Sequence, residues 1–186
     1  MTRIIPKGQL AKFEILKGIE LDELVPLLDA CDELMFQPDD VVLAAGHHER
    51  ALWFLLMGQA TVTIDSTEQA SQWVAEIGAG SVVGEMSFLH PAPHSATVTS
   101  KASCTFLRLD RARFDTLAEQ HPALASRLIL NIAELLAARL QAADIWMTEW
   151  LASAEQSRLR ERAGQLRQAF AMRTPSTSVF LGVNWN

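Results

Sequence analysis

From residue 34 to residue 109 the sequence is cut into short apolar runs by glycine, and this rhythm admits few folds. Leu34-Met35-Phe36 precedes a Pro38-Asp39-Asp40 turn signal, and Val41-Val42-Leu43 is a brief strand ended by Gly46. Leu52 to Met57 is almost continuously apolar and is bounded by Gly58. The next segment alternates, placing Ala60, Val62 and Ile64 on one face, because successive side chains of a strand point to opposite sides. Residues 73–77 run up to Gly78-Ala79-Gly80, and residues 96–100 and 104–109 complete the series. Short strands with turn signals at this spacing predict an antiparallel sandwich or barrel.

Helical periodicity flanks this region. Residues 8–17 and 21–31 are expected to form two short helices. In the second, Asp22 and Glu23 sit at the positive end of the helix dipole, and Leu24, Leu27, Leu28 and Cys31 share a stripe. Asp110 is a candidate N-cap for a helix reaching about Glu119. Pro122, after His121, suits the first position of another. That helix runs from 122 to at least 152 and is apolar around most of its circumference, with Leu124, Leu128, Ile129, Ile132, Leu135, Leu136, Leu140, Ile145, Met147, Trp150 and Leu151. One face is expected to cover the β-region and the other to meet the same helix of a second copy, since so apolar a helix is not stable with one side in water. Leu159, Ala163, Leu166 and Phe170 then form a narrow coiled-coil-type stripe among arginines 158, 160, 162 and 167. The helix either continues through this stripe or breaks between 153 and 157. The organisation expected is therefore a β-domain with N-terminal helices over 8–120, a long helix or helix pair over 121–173, and a tail over 174–186.

Composition excludes some functions. A formal net charge of −6 over 186 residues argues against nucleic acid as the main partner, because neutralising phosphates requires clustered Lys and Arg. Neither a leader peptide nor a membrane-spanning run is legible, so a cytoplasmic location is expected. Cys31 and Cys104 lie in apolar settings and are expected to be buried free thiols. His90 and His94 are separated by Pro91 and Pro93, which exclude the helix that would turn both rings toward one metal. No metal site is expected, and no catalytic constellation can be placed.

The chemistry concentrates in residues 84–98, Gly-Glu-Met-Ser-Phe-Leu-His-Pro-Ala-Pro-His-Ser-Ala-Thr-Val. Glycine at 84 allows unusual dihedrals and close backbone approach. A single helical turn after it would aim free N–H groups at an anion. This stretch resembles the phosphate-binding cassette of cyclic-nucleotide-binding domains: Gly-Glu, an apolar turn, a spacer, then Arg-Ser/Thr-Ala-Thr-Val. Gly46, the 53–62 hairpin (Trp-Phe-Leu-Leu-Met-Gly-Gln-Ala-Thr-Val) and the 77–85 approach (Ile-Gly-Ala-Gly-Ser-Val-Val-Gly-Glu) match the family in order and spacing. The resemblance spans roughly residues 10–145. It implies a mainly β fold with flanking helices, an eight-stranded antiparallel β-roll (jelly roll) followed by a long C-terminal dimerisation helix.

The resemblance also implies a candidate ligand site of Gly84, Glu85, Met86, Ser87, His94, Ser95 and Ala96. Glu85 would accept from the ribose 2′-hydroxyl, and Ser95 would donate to the phosphate or base of cyclic AMP or cyclic GMP. One position departs from the family pattern: His94 stands where arginine is usual. Arginine gives a permanent charge and a forked donor set, whereas histidine near its ordinary pKa of ~6.5 is mostly neutral at pH 7. Losing a charge-assisted bond to a buried phosphate costs about 1.5–3 kcal/mol, or roughly ten- to a hundredfold in affinity.

Three outcomes follow: no ligand, a cyclic nucleotide bound weakly or in a pH-dependent way, or a different small anion. Because few residues follow position 150, the expected function is a stand-alone, non-enzymatic regulatory module that acts through an unknown protein partner. The alternatives are a ligand-free β-roll adaptor, its pocket filled by Trp73, Phe88, Phe180 or Trp185, and a DNA-binding regulator using the C-terminal arginines.

Overall fold

A computed structural model describes residues 5–65 and 71–153. The N-terminal region is a short helix, α1 (Lys7–Leu10), a 3₁₀ turn (Glu14–Leu16) and α2 (Leu21–Asp29). The single helix expected over 8–17 is thus two short pieces. Phe13 is extended between them (φ −87°, ψ 109°), and both Phe13 and Ile15 are buried. Burying these apolar side chains against the domain takes precedence over helical continuity. α2 begins at a reciprocal capping box, in which the Glu20 and Glu23 side chains accept from each other's backbone N–H, satisfying donors that have no partner within the helix.

Eight strands follow: β1 (Asp32–Phe36), β2 (Val41–Leu43), β3 (Ala51–Met57), β4 (Gln59–Asp65), β5 (Ser71–Gly78), β6 (Val82–Val83), β7 (Thr97–Ser100) and β8 (Cys104–Asp110). They form two antiparallel four-stranded sheets, ordered β1-β8-β3-β6 and β2-β7-β4-β5. This is the expected mainly β roll with flanking helices. α3 (Glu85–Leu89) interrupts the path from β6 to β7, and α4 (Arg111–Gln120) and α5 (Pro122–Ser153) come after β8. Asp110 caps α4, its side chain accepting from the Ala112 N–H at 2.8 Å, and Pro122 opens α5.

The unbroken apolar run of β3 has a direct cause. Its sheet is covered on both faces, so both sets of alternating side chains are buried. Leu52, Phe54 and Leu56 face the helices, joining Phe13, Leu24, Leu27, Phe88, Leu107, Leu109, Phe114, Leu128 and Ile132. Ala51, Trp53 and Leu55 face the interior between the sheets, with Val42, Leu43, Ala60, Val98, Cys104 and Phe106. Each fully buried side chain of this size contributes about 1.5–3 kcal/mol. Cys31 and Cys104 are buried free thiols. Asn131, on α5, fixes that helix to the N-terminal region: its Nδ2 donates to the carbonyls of Ile15 and Lys17, both at 2.9 Å.

This compact unit ends at Leu136, and a second unit begins at Ala137. Within the second unit, Leu140, Ile145, Trp146 and Met147 are exposed. The side chains of Trp150 and Leu151, the 158–170 stripe and the tail lie outside the described residues. Among the described residues no helix is long and apolar enough to cross a membrane.

Candidate functional site

Gly84 ends β6 and N-caps α3 with left-handed dihedrals, φ 81° and ψ 2°. A Cβ at this position would lie 2.5 Å from the Ala51 carbonyl oxygen and 3.2 Å from Trp53 Cδ1. Glycine is therefore required twice, by dihedral and by space. The five-residue α3 that follows is held at its far end. The Phe88 carbonyl accepts from Arg50 Nη2 at 3.1 Å and from Arg111 Nη1 at 3.0 Å. The Arg111 guanidinium also lies over the Phe88 and Phe114 rings, at 5.4 and 5.5 Å from their centroids. Two cations at the carbonyl end of a short helix match its dipole.

Phe88 itself is fully buried, on the helix side of the β3 sheet. It does not fill the interior of the roll, which corrects the expectation that it could plug the pocket. Of the other candidate plugs, the side chain of Trp73 and the tail lie outside the described residues.

Glu85 is buried, with 6% of its surface exposed, rather than a solvated helix-end carboxylate. Met86 points outward and is exposed. Ser87 is buried, and its Oγ lies 3.1 Å from both the Gly84 carbonyl oxygen and His94 Nδ1. His94 is 8% exposed, and its backbone is fixed in both directions. Its N–H donates to the His47 carbonyl, and its own carbonyl accepts from the Gly46 N–H, each at 2.9 Å. The β2–β3 loop thereby sets the height at which the imidazole enters the cassette. His94 Nε2 is buried and has no hydrogen-bond partner among the described residues.

Burial pushes the His94 pKa below the usual value of 6.5, with His47 and His48 adding to the effect and Glu49 opposing it. The ring is thus neutral near pH 7. Ser95 is exposed and Ala96 half-buried, just ahead of β7. His47 and His48 are exposed on the loop between β2 and β3.

The structure joins Gly84, Ser87 and His94 in one hydrogen-bonded group, while Met86 and Ser95 face solvent. Sequence reasoning missed the Ser87–His94 contact, the influence of Glu49, and the two arginines on the Phe88 carbonyl. The arginine contacts span 38 and 23 residues, and no local pattern encodes such pairings.

Residues 33–121 match the family model described as the cyclic nucleotide-binding domain. The chain is 32% identical over 136 residues to glutaminase 1 of Bradyrhizobium diazoefficiens, covering 73% of this chain and 21% of that protein. It is 32% identical over 111 residues to the cAMP-dependent protein kinase regulatory subunit of Dictyostelium discoideum, covering 58% and 34%. The chain thus spans between a fifth and about a third of the length of these curated relatives. The crystal structure of a cyclic nucleotide-binding domain from Methylobacillus flagellatus superposes with a TM-score of 0.69 at 23% identity, covering 81% of this chain and 87% of that one. At that identity the likeness is one of fold.

Proposed function

This chain carries a domain of the cyclic nucleotide-binding family, and from that premise we propose that residues 84–96 bind the phosphate of a cyclic nucleotide and that the bound state is passed to a protein partner. The role is regulatory rather than catalytic. One observation carries the reading: His94 Nε2 is buried and unpartnered among the described residues, on a ring that Ser87 links to the left-handed Gly84. A buried polar atom without a partner costs about 1–3 kcal/mol, and a phosphate oxygen is a suitable partner once that nitrogen carries a hydrogen.

In this reading the first N–H groups of α3 face the phosphate, and Gly84 lets the ligand approach the backbone closely. Glu85 accepts from the ribose hydroxyl, Ser95 donates from the rim, and Ala96 leaves room. His94 replaces a permanent charge with a titratable one, so affinity is modest. A homodimer through helix 122–152 completes the proposal. It is supported by the exposed Leu130, half accessible on α5.

The test is calorimetry with cyclic AMP and cyclic GMP at pH 7, on the wild type and on His94→Arg. The wild type is expected to bind weakly and the variant about ten- to a hundredfold more tightly, the worth of one charge-assisted bond. Binding by the variant alone would reduce the site to a disabled cradle. Binding by neither would end the nucleotide reading.

A further inference from the structure

We infer that Ser87 and His94 form a proton-coupled anion subsite: the ring is neutral before the anion arrives, and each phosphate that binds brings one solvent proton onto His94 Nε2. This inference rests on the proposed nucleotide site and says how that site is regulated.

One hydroxyl proton sets the tautomer of the ring. Ser87 Oγ has two partners at 3.1 Å, the Gly84 carbonyl oxygen and His94 Nδ1. The carbonyl can only accept, so both contacts are hydrogen bonds only if it takes the Ser87 proton. The hydroxyl then offers a lone pair to Nδ1, and Nδ1 must carry a hydrogen. A neutral ring with its hydrogen on Nδ1 has a bare Nε2, which is itself an acceptor.

Phosphate oxygens are acceptors too. A bare Nε2 and a phosphate oxygen therefore repel, and the ring can bind the anion only as imidazolium, with Nε2–H donating. In this geometry binding and protonation are a single event. An arginine at the same place would arrive already charged.

The surroundings favour a neutral ring before binding. His94 is buried on all but 8% of its surface, and burial lowers its pKa. His47 and His48, on the β2–β3 loop, act in the same direction, and Glu49 on that loop is the group that favours the cation. α3 adds the buried Glu85 beside Ser87. Arg50, which follows Glu49 in the chain, has Nη2 engaged at the Phe88 carbonyl. A bound anion places negative charge directly at Nε2, and this raises the imidazole pKa.

The experiment is titration calorimetry of the full chain with cyclic AMP and cyclic GMP. It is run at pH 7.5 in MOPS and in Tris, whose ionisation enthalpies differ, and across pH 6 to 8. The observed heat is expected to change with the buffer in proportion to roughly one proton taken up. The affinity is expected to fall about tenfold per pH unit above the His94 pKa, as linkage of one proton requires. His94→Arg and His94→Gln should both bind with buffer-independent heats, the arginine variant more tightly at pH 8. A wild type that binds with buffer-independent heat and a flat pH profile would overturn the proton coupling and leave the nucleotide site standing. It would mean that Ser87 donates to Nδ1 and that Nε2 already carries its hydrogen. A wild type that binds neither nucleotide at any pH would overturn the site and the coupling together.

Discussion

The Ser87 hydroxyl and the His94 imidazole meet at 3.1 Å across the turn that separates β6 from β7, seven residues apart in the chain. The contact orients a buried ring whose outer nitrogen has no partner among the described residues. In the proposed site it also makes the protonation of one side chain the variable on which anion binding depends.

Replacing Gly84 with alanine is expected to destabilise the domain by at least about 2 kcal/mol. The left-handed conformation alone costs a non-glycine residue about 1–2 kcal/mol, and the new Cβ would sit 2.5 Å from the Ala51 carbonyl oxygen. Thermal or urea unfolding measures the loss. A change under about 0.5 kcal/mol would show that the turn can relax.

His94 should make stability depend on pH. Its folded pKa lies below the unfolded value of about 6.5 because burial disfavours the imidazolium. The unfolded chain therefore binds the proton first. The contribution is complete above about pH 6.5 and is lost as the pH falls through the window toward the lowered folded pKa. Urea midpoints at pH 7.5 and 5.5 should differ more for the wild type than for His94→Gln. Equal differences would contradict a buried neutral ring.

Asn131→Leu should cost about 2–3 kcal/mol. It removes the donor to two backbone carbonyls and leaves the Ile15 and Lys17 oxygens short of a partner. Hydrogen exchange should show residues 13–17 opening more readily while β3 and β8 keep their protection. Uniform loss across the domain would mean that Asn131 serves the whole fold rather than one joint.

Arg111→Met should loosen α3 without unfolding the roll. The substitution keeps apolar contact with Phe88 and Phe114 but removes the bond to the Phe88 carbonyl and the salt bridge to Asp115. The expected loss is about 1–3 kcal/mol, most of it from the carbonyl, since the exposed pair with Asp115 contributes little. Faster exchange confined to residues 85–89 would bear this out. Unchanged exchange there would assign the anchoring to Arg50.

Light scattering at micromolar concentration should report a dimer, because α5 keeps large apolar side chains exposed at Leu130, Leu140 and Ile145. Leu130→Asp and Ile145→Asp should each shift the population toward monomer. A wild-type monomer would remove the homodimer from the proposed function.

Much of this protein was legible in local sequence. Glycine spacing and alternation predicted the strands other than the two-residue β6, Asp110 and Pro122 marked two helix starts, and the resemblance of the 84–98 pattern placed the cassette between the sixth and seventh strands. These features are local because turn dihedrals, caps and side-chain periodicity depend on neighbours within a few residues. The broken first helix was not legible, since burying Phe13 and Ile15 against the rest of the domain decided it. Nor was the setting of the site: His94 could be identified as a histidine in an arginine position, but its burial, its Ser87 partner and its lowered pKa depend on the β2–β3 loop. Sequence by itself determined the roll and the place of the cassette. Tertiary structure alone decided that the imidazole there is buried, oriented and neutral, because desolvation and hydrogen bonding are properties of what surrounds a group in space.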